Sequence, residues 1–267
     1  MRYYTNYELK NHNSFRLNSI VKEIWFPETI PELQNLLKEL KYKKFFILGG
    51  GTNVLLKPII DKIICLNKLP QYLRPSYQNR TIVSSNYLTS AFINQIIKGF
   101  EGLYGIPGEI GGTIVMNAGS GTYAISDHLL TVTTLDKNSI KHTYYKDDLK
   151  FGRRYSILQD KEEIVIEALF DTSIATINEE EFNKAKTHRK NLPTLPSAGG
   201  VFVNWHALKP HVDKLIGLRV GDAEVSESVN IIVNKKNATF EDIIELIRQV
   251  QLIVKEPLQT EIKIIGD

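Results

Sequence analysis

Four glycines fall within eight residues at Gly105-Ile-Pro-Gly108-Glu-Ile-Gly111-Gly112, and no other stretch so narrows what this chain can form. Interleaved with Ile106, Pro107 and Ile110, they make a loop that bends tightly yet stays apolar. Solvent-exposed linkers are instead polar and serine-rich. A loop of this kind lets backbone approach a large flat ligand and offers it amide hydrogen bonds. The stretch runs on through Asn117-Ala118-Gly119.

A second cluster, Gly49-Gly50-Gly51-Thr52-Asn53, follows the apolar run Phe45-Phe-Ile-Leu48, which predicts a buried strand delivering a loop. Successive glycines can take positive φ, so consecutive N–H groups can point into one concavity and receive a phosphate. The dinucleotide fingerprint fails here, because Val54 stands where it wants glycine. The P-loop fails too, because no lysine follows. The residues read as another phosphate cradle or as a plain tight turn.

The rest of the chain bounds the partners. Its 267 residues suit about two domains, and 42% hydrophobic with 24% charged residues is ordinary for a protein with a real core. The net charge of +3 is spread over 33 basic and 30 acidic residues without a basic run, so a nucleic-acid partner is not expected. Cys65 is the single cysteine, which leaves no intrachain disulfide and no thiolate metal site; in Lys62-Ile-Ile-Cys-Leu66 it reads as a small buried hydrophobe. No metal site is expected. The N-terminus lacks a signal-peptide pattern, and no apolar run reaches membrane-spanning length. A cytoplasmic protein without membrane insertion is expected.

Periodicity predicts a mixed α+β order. A helix is expected over Thr29–Leu40, with Leu33, Leu36, Leu37 and Leu40 on one stripe and Pro31 in the first turn. Strands are expected at 59–66 and 81–84, and a helix over 90–100. Strands follow at 129–135, 139–145 and 164–170. A charged helix is expected over 178–190. Thr239 begins another, with Asp242 as capping-box partner and Ile243, Ile244, Ile247 and Val250 buried. A last strand is expected over 258–265.

These stretches, with others, resemble a family, the bacterial UDP-N-acetylenolpyruvoylglucosamine reductases (MurB) of the shorter type. Asn13-Ser14-Phe15-Arg16 is similar to the N-terminal signature of the family, 48–55 to its pyrophosphate loop and 105–119 to its loop on the isoalloxazine side. Phe151-Gly-Arg-Arg-Tyr-Ser156, Leu218-Arg-Val-Gly-Asp-Ala223 and Leu258-Gln-Thr-Glu261-Ile are similar to later motifs. The resemblance implies a two-part FAD-binding domain of the vanillyl-alcohol-oxidase (PCMH) type plus a smaller α+β substrate-binding domain. Residues 1–66 and 67–171 would clamp FAD, 172–256 would bind substrate, and 257–267 would return as a strand to the active site. NADPH and a UDP-sugar are the implied co-substrates, acting on a monomer.

On the same footing, Gly49, Gly50, Gly51, Thr52 and Asn53 would hold the cofactor from one side. Gly105, Ile106, Pro107, Gly108, Gly111 and Gly112 would hold it from the other, with Asn117 and Ala118. Arg154 and Glu261 would stabilise the negative charge that gathers at the substrate carboxylate. Asn204, Arg153, Lys190 and Arg219 are the implied substrate contacts, with Lys214 a further basic residue. The family's proton donor is a serine or cysteine, and here its position is Gly200, in Ser197-Ala-Gly-Gly200-Val-Phe202. Val203, Trp205 and Arg153 also depart from the pattern, as do Asn18-Ser19, and the histidine expected after Val225-Ser226 is missing. Three readings follow: an active reductase with water or another group as donor, a non-catalytic FAD-binding homologue, or another flavin oxidoreductase of the superfamily.

Overall fold

The computed structural model describes residues 1–266. By its internal contacts the chain divides into two units, one of Met1–Tyr3, Trp25–Gly50 and Ile64–Asn191, the other of Tyr4–Ile24, Gly51–Ile63 and the chain from Leu192 onward. This grouping differs from the expected segments. Helix Glu179–Lys190 belongs with the first unit, because its buried face meets the turn Glu101–Leu103, where Asn178 N donates to Glu101 Oε1 at 2.9 Å.

The first unit is built on a five-stranded sheet in the order Lys141–Tyr145, Leu129–Leu135, Ile164–Asp171, Arg80–Ser84, Leu73–Ser76, all pairs antiparallel. Its central strand changes face partway along. Thr133 pairs with Glu167 but Thr134 with Val165, so Ile166 is bulged out of register, and a bulge inverts the alternation of side chains beyond it. Ile164 and Ile166 therefore pack with Leu33, Leu36 and Leu37 of helix Ile30–Glu39. Val165, Ala168 and Phe170 pack with Phe92 and Ile93, and with Ile110 and Ile114.

In the second unit, an antiparallel three-stranded sheet of Arg219–Val220, Ala223–Val225 and Ile232–Asn234 packs against helix Phe240–Val254. That helix buries Ile243, Leu246, Ile247, Val250 and Val254. The capping box expected at its start is formed: Asp242 N donates to Thr239 Oγ1 at 3.1 Å and Thr239 N to Asp242 Oδ2 at 2.8 Å. Strand Lys263–Ile265 pairs in parallel with Val54–Leu56, the strand that follows the first glycine turn.

Several expected elements are shorter. The helix expected over 90–100 spans Thr89–Gln95. Gly99 takes φ +86° and Phe100 N donates to Ile97 O, which turns the chain so that Phe100 packs against Phe92 and Phe170. The last strand keeps only Lys263–Ile265 in its ladder, since the backbone before it pairs with 201–203 instead. A helix absent from the expectations, Ile110–Val115, lies inside the glycine-rich stretch. Cys65 is fully buried, and burial pushes its thiol up to about 12. No helix among the described residues is long and apolar enough to cross a membrane.

Candidate functional site

The two glycine-rich turns pack on one another. A Cβ on Gly50 would lie 3.3 Å from Gly108 Cα and 3.6 Å from Glu109 Cγ, and one on Gly49 would lie 3.0 Å from Glu109 Oε2. Glycine at both positions is what lets the backbones approach this closely. The first turn is fixed at its far side by Gly51, whose φ is +64° and whose absent Cβ would fall 2.0 Å from His12 O. Its carbonyl accepts from Ser14 N at 3.0 Å and from Ser14 Oγ at 3.2 Å. The motif Asn13-Ser14-Phe15-Arg16 thus serves to hold this turn. The N–H groups of Gly50, Gly51 and Thr52 donate to nothing among the described residues, the condition a phosphate cradle requires.

The second stretch is held from below. Gly111 N donates to Ser85 O at 2.7 Å and Ile110 N to Tyr87 O at 3.0 Å. Helix Ile110–Val115 ends against the Phe151–Ser156 motif, because Ser156 Oγ and Gln159 Nε2 both donate to Val115 O, at 2.8 and 3.0 Å. Asn117 Nδ2 donates to Gly152 O at 2.8 Å, and Arg154 Nη2 to Gly119 O at 2.8 Å. Arg154 sits at φ +56°, a left-handed conformation that costs a non-glycine residue about 1 kcal/mol and persists only where its surroundings enforce it. The structure therefore brings Arg154 to the end of the glycine-rich stretch, as a tether of Gly119.

Three features bear on whether a flavin dinucleotide suits these residues. The unpaired N–H groups at 50–52 are donors for a diphosphate. The face of Gly112 is open, with nothing within 4 Å of where a Cβ would stand. Asn117 Oδ1 is buried and has no hydrogen-bond partner, an acceptor awaiting a donor. All three fit the group. Glu109 is the discordant element. It is 8% exposed, its carboxyl makes no hydrogen bond or ion pair among the described residues, and burial raises that carboxyl to about 7.

Gly200 and Glu261 are brought together in the second unit. Glu261 N donates to Val201 O at 2.7 Å, and a Cβ on Gly200 would stand 3.8 Å from Glu261 Oε2 but only 2.8 Å from Asn230 Nδ2. The Asn230 amide is held there by accepting from Phe202 N at 2.9 Å and donating to Phe202 O at 3.0 Å. Asn53 of the first turn donates to Glu261 O at 3.3 Å and accepts from Lys263 N at 3.0 Å. Asn204 spends its amide on the same segment, donating to Pro257 O at 2.8 Å and accepting from Gln259 N at 3.0 Å. Its role in the fold is to position the backbone that leads to Glu261.

The other basic residues are less enclosed. Arg153, Lys190 and Lys214 are exposed, and Arg219, also exposed, closes a local turn on Gly221 O and Asp222 Oδ1. Arg189 is the residue the sequence reading missed. Its stem lies against Gly105, 3.0 Å from where a Cβ would be, and its Nε donates to Tyr104 O at 3.0 Å. Burial, and then the charge of Arg154, hold Arg189 below the usual arginine range. Helical spacing could have found it, because Arg189 lies four residues after Ala185, the buried residue of that helix. Glu109 was also visible, as a lone charge in an apolar glycine loop.

The sheets, helices and paired turns define an α+β protein of two compact units. Residues 192–265 match the C-terminal domain of UDP-N-acetylenolpyruvoylglucosamine reductase. The reductase of that name from Caldanaerobacter subterraneus subsp. tengcongensis is 35% identical over 99% of this chain and 94% of its own. That from Fusobacterium nucleatum is 31% identical over 96% and 95%. The crystal structure of MurB from Thermus caldophilus superposes with a TM-score of 0.78 at 27% identity, covering 99% of this chain and 98% of the other. The chain belongs to the UDP-N-acetylenolpyruvoylglucosamine reductase family.

Proposed function

We propose that this chain is an NADPH-dependent flavoenzyme that reduces the enolpyruvyl ether of UDP-N-acetylglucosamine to the lactyl ether, giving UDP-N-acetylmuramate for peptidoglycan synthesis. The observation that carries the flavin is the packing of Gly49–Gly50 on Gly108–Glu109 beside unpaired N–H groups at 50–52. Bound there, FAD supplies a hydride relay between the nicotinamide and the enolpyruvyl carbon. The residues do the rest. Gly50, Gly51 and Thr52 would hold the diphosphate through backbone N–H groups, and Asn117 Oδ1 would accept a hydrogen bond from the cofactor. Arg154, pinned through Gly119, neutralises the substrate carboxylate as charge builds on it. Arg189 adds a second cation at Gly105.

A proton must also reach the substrate. Gly200 has none to give, and general acid catalysis is worth roughly 10²–10⁴-fold. Glu261, whose Oε2 is 3.8 Å from the Cβ position at 200, is the nearest carboxyl able to hold a proton or the water that delivers it. We place the enzyme in the cytoplasm as a monomer.

Reconstitution with FAD, followed by NADPH oxidation with and without the enolpyruvyl sugar, tests the reading. Substrate-stimulated oxidation with lactyl product in the mass spectrum is the expected result. Bound flavin that NADPH never reduces would instead support a non-catalytic homologue, and oxygen consumption with an unrelated sugar or alcohol would support another oxidoreductase.

A further inference from the structure

Glu109 poses a problem that the flavin reading sharpens. Its carboxyl lies against Gly49, with Oε2 3.0 Å from where a Cβ would stand, and its Cγ lies against Gly50, in the turn assigned to an anionic diphosphate. A buried charge without a partner is costly, and a like charge beside it more so. An ionised carboxylate here would repel the very group the turn is shaped to hold. A protonated one has an O–H to donate and no acceptor for it among the described residues.

The neighbouring elements leave the carboxyl electrostatically alone. The Gly49–Gly50 turn and helix Ile110–Val115 carry no titratable side chain. Tyr87, on the segment that pairs with Glu109, has its hydroxyl oxygen accept from Gln95 Nε2 at 2.7 Å. The Cys65 thiol feels the carboxylate's charge, and, raised by burial, it stays protonated in the ordinary pH range. No cation among the described residues pairs with the carboxylate, and burial is what raises it.

We propose that Glu109 binds the cofactor as a neutral acid, donating its proton in a hydrogen bond to a phosphate oxygen of the flavin dinucleotide, so that cofactor affinity falls as pH rises. The proposal rests on the flavin reading above and adds to it a proton taken up with the ligand. It makes Glu109 a binding residue whose protonation state gates occupancy of the site. The elevated titration of this buried carboxyl sets the window near 7.

The test is the dissociation constant of FAD for the apoprotein between pH 5.5 and 8.5, followed by quenching of flavin fluorescence, with riboflavin as the phosphate-free control. The expected profile is flat below the carboxyl's titration and weakens by up to about tenfold per pH unit above it. Glu109→Gln keeps a donor that cannot ionise, and its FAD affinity should stay level across the range. Riboflavin should bind with no slope. FAD binding that is tight but equally level in the natural protein overturns the proposal and leaves the flavin reading intact. A slope that persists in Glu109→Gln, or that riboflavin shares, overturns it too. No FAD binding at any pH overturns both.

Discussion

At the scale of single residues, Gly200 is the position where function is most exposed to one change. Its backbone is not in the left-handed region, so serine meets no conformational bar there. The obstacle is the Asn230 amide, 2.8 Å from the new Cβ and held twice by Phe202. Gly200→Ser should therefore lower stability by about 1 kcal/mol as that clamp shifts, seen as a small fall in denaturant midpoint. It should also raise the rate at which substrate reoxidises the reduced flavin, without changing flavin reduction by NADPH. Unchanged reoxidation in stopped flow would mean that another group, such as Glu261, already delivers the proton. The glycine was legible as a departure from the motif. The asparagine filling its space was not, because the two residues are thirty positions apart and meet only through the pairing of 200 with 231.

At the scale of elements, the long helix Phe240–Val254 shows how much local chemistry can specify. Its buried stripe follows from spacing, and Thr239 with Asp242 forms the box that its sequence announces. Thr239→Ala should cost about 1 kcal/mol, measured by chemical denaturation, while Thr239→Ser should restore most of it. Helix Ile110–Val115 shows the opposite. Two of its six residues are glycine, which disfavours helix by about 1 kcal/mol each, and so propensity argued against it. What makes it a helix is docking: Gly111 against Ser85, Val115 O capped from Ser156 and Gln159, and Ile110 and Ile114 in the core. The strand Ile164–Asp171 was equally legible as a strand, but the bulge at Ile166 that turns its two halves to different cores was not. A bulge is set by the partner strand.

At the scale of the molecule, burial of one carboxyl ties stability to pH. The carboxyl of Glu109 is raised from 4.5 to about 7 by desolvation. The folded apoprotein therefore keeps a proton that the unfolded chain has lost across that interval. Stability from this source is full below about pH 4.5, falls as pH rises to about 7, and is level above. The loss amounts to about 3 kcal/mol. Thermal melts of the apoprotein should show this decline, and the difference from Glu109→Gln should vanish at the acid end. By itself the sequence determined the long helices near 30–39, 179–190 and 240–254, several strands, the two glycine turns, the family and the absence of a donor side chain at 200, because these depend on residue type and short-range spacing. Only the tertiary structure decided that the turns pack on one another, that Arg189 rather than Lys190 lies against Gly105, that Asn204 clamps the segment leading to Glu261, and that Glu109 is shut away from any cation. Each of those depends on which distant backbone closes over a side chain, and burial is a property of the fold that spacing along a chain does not carry.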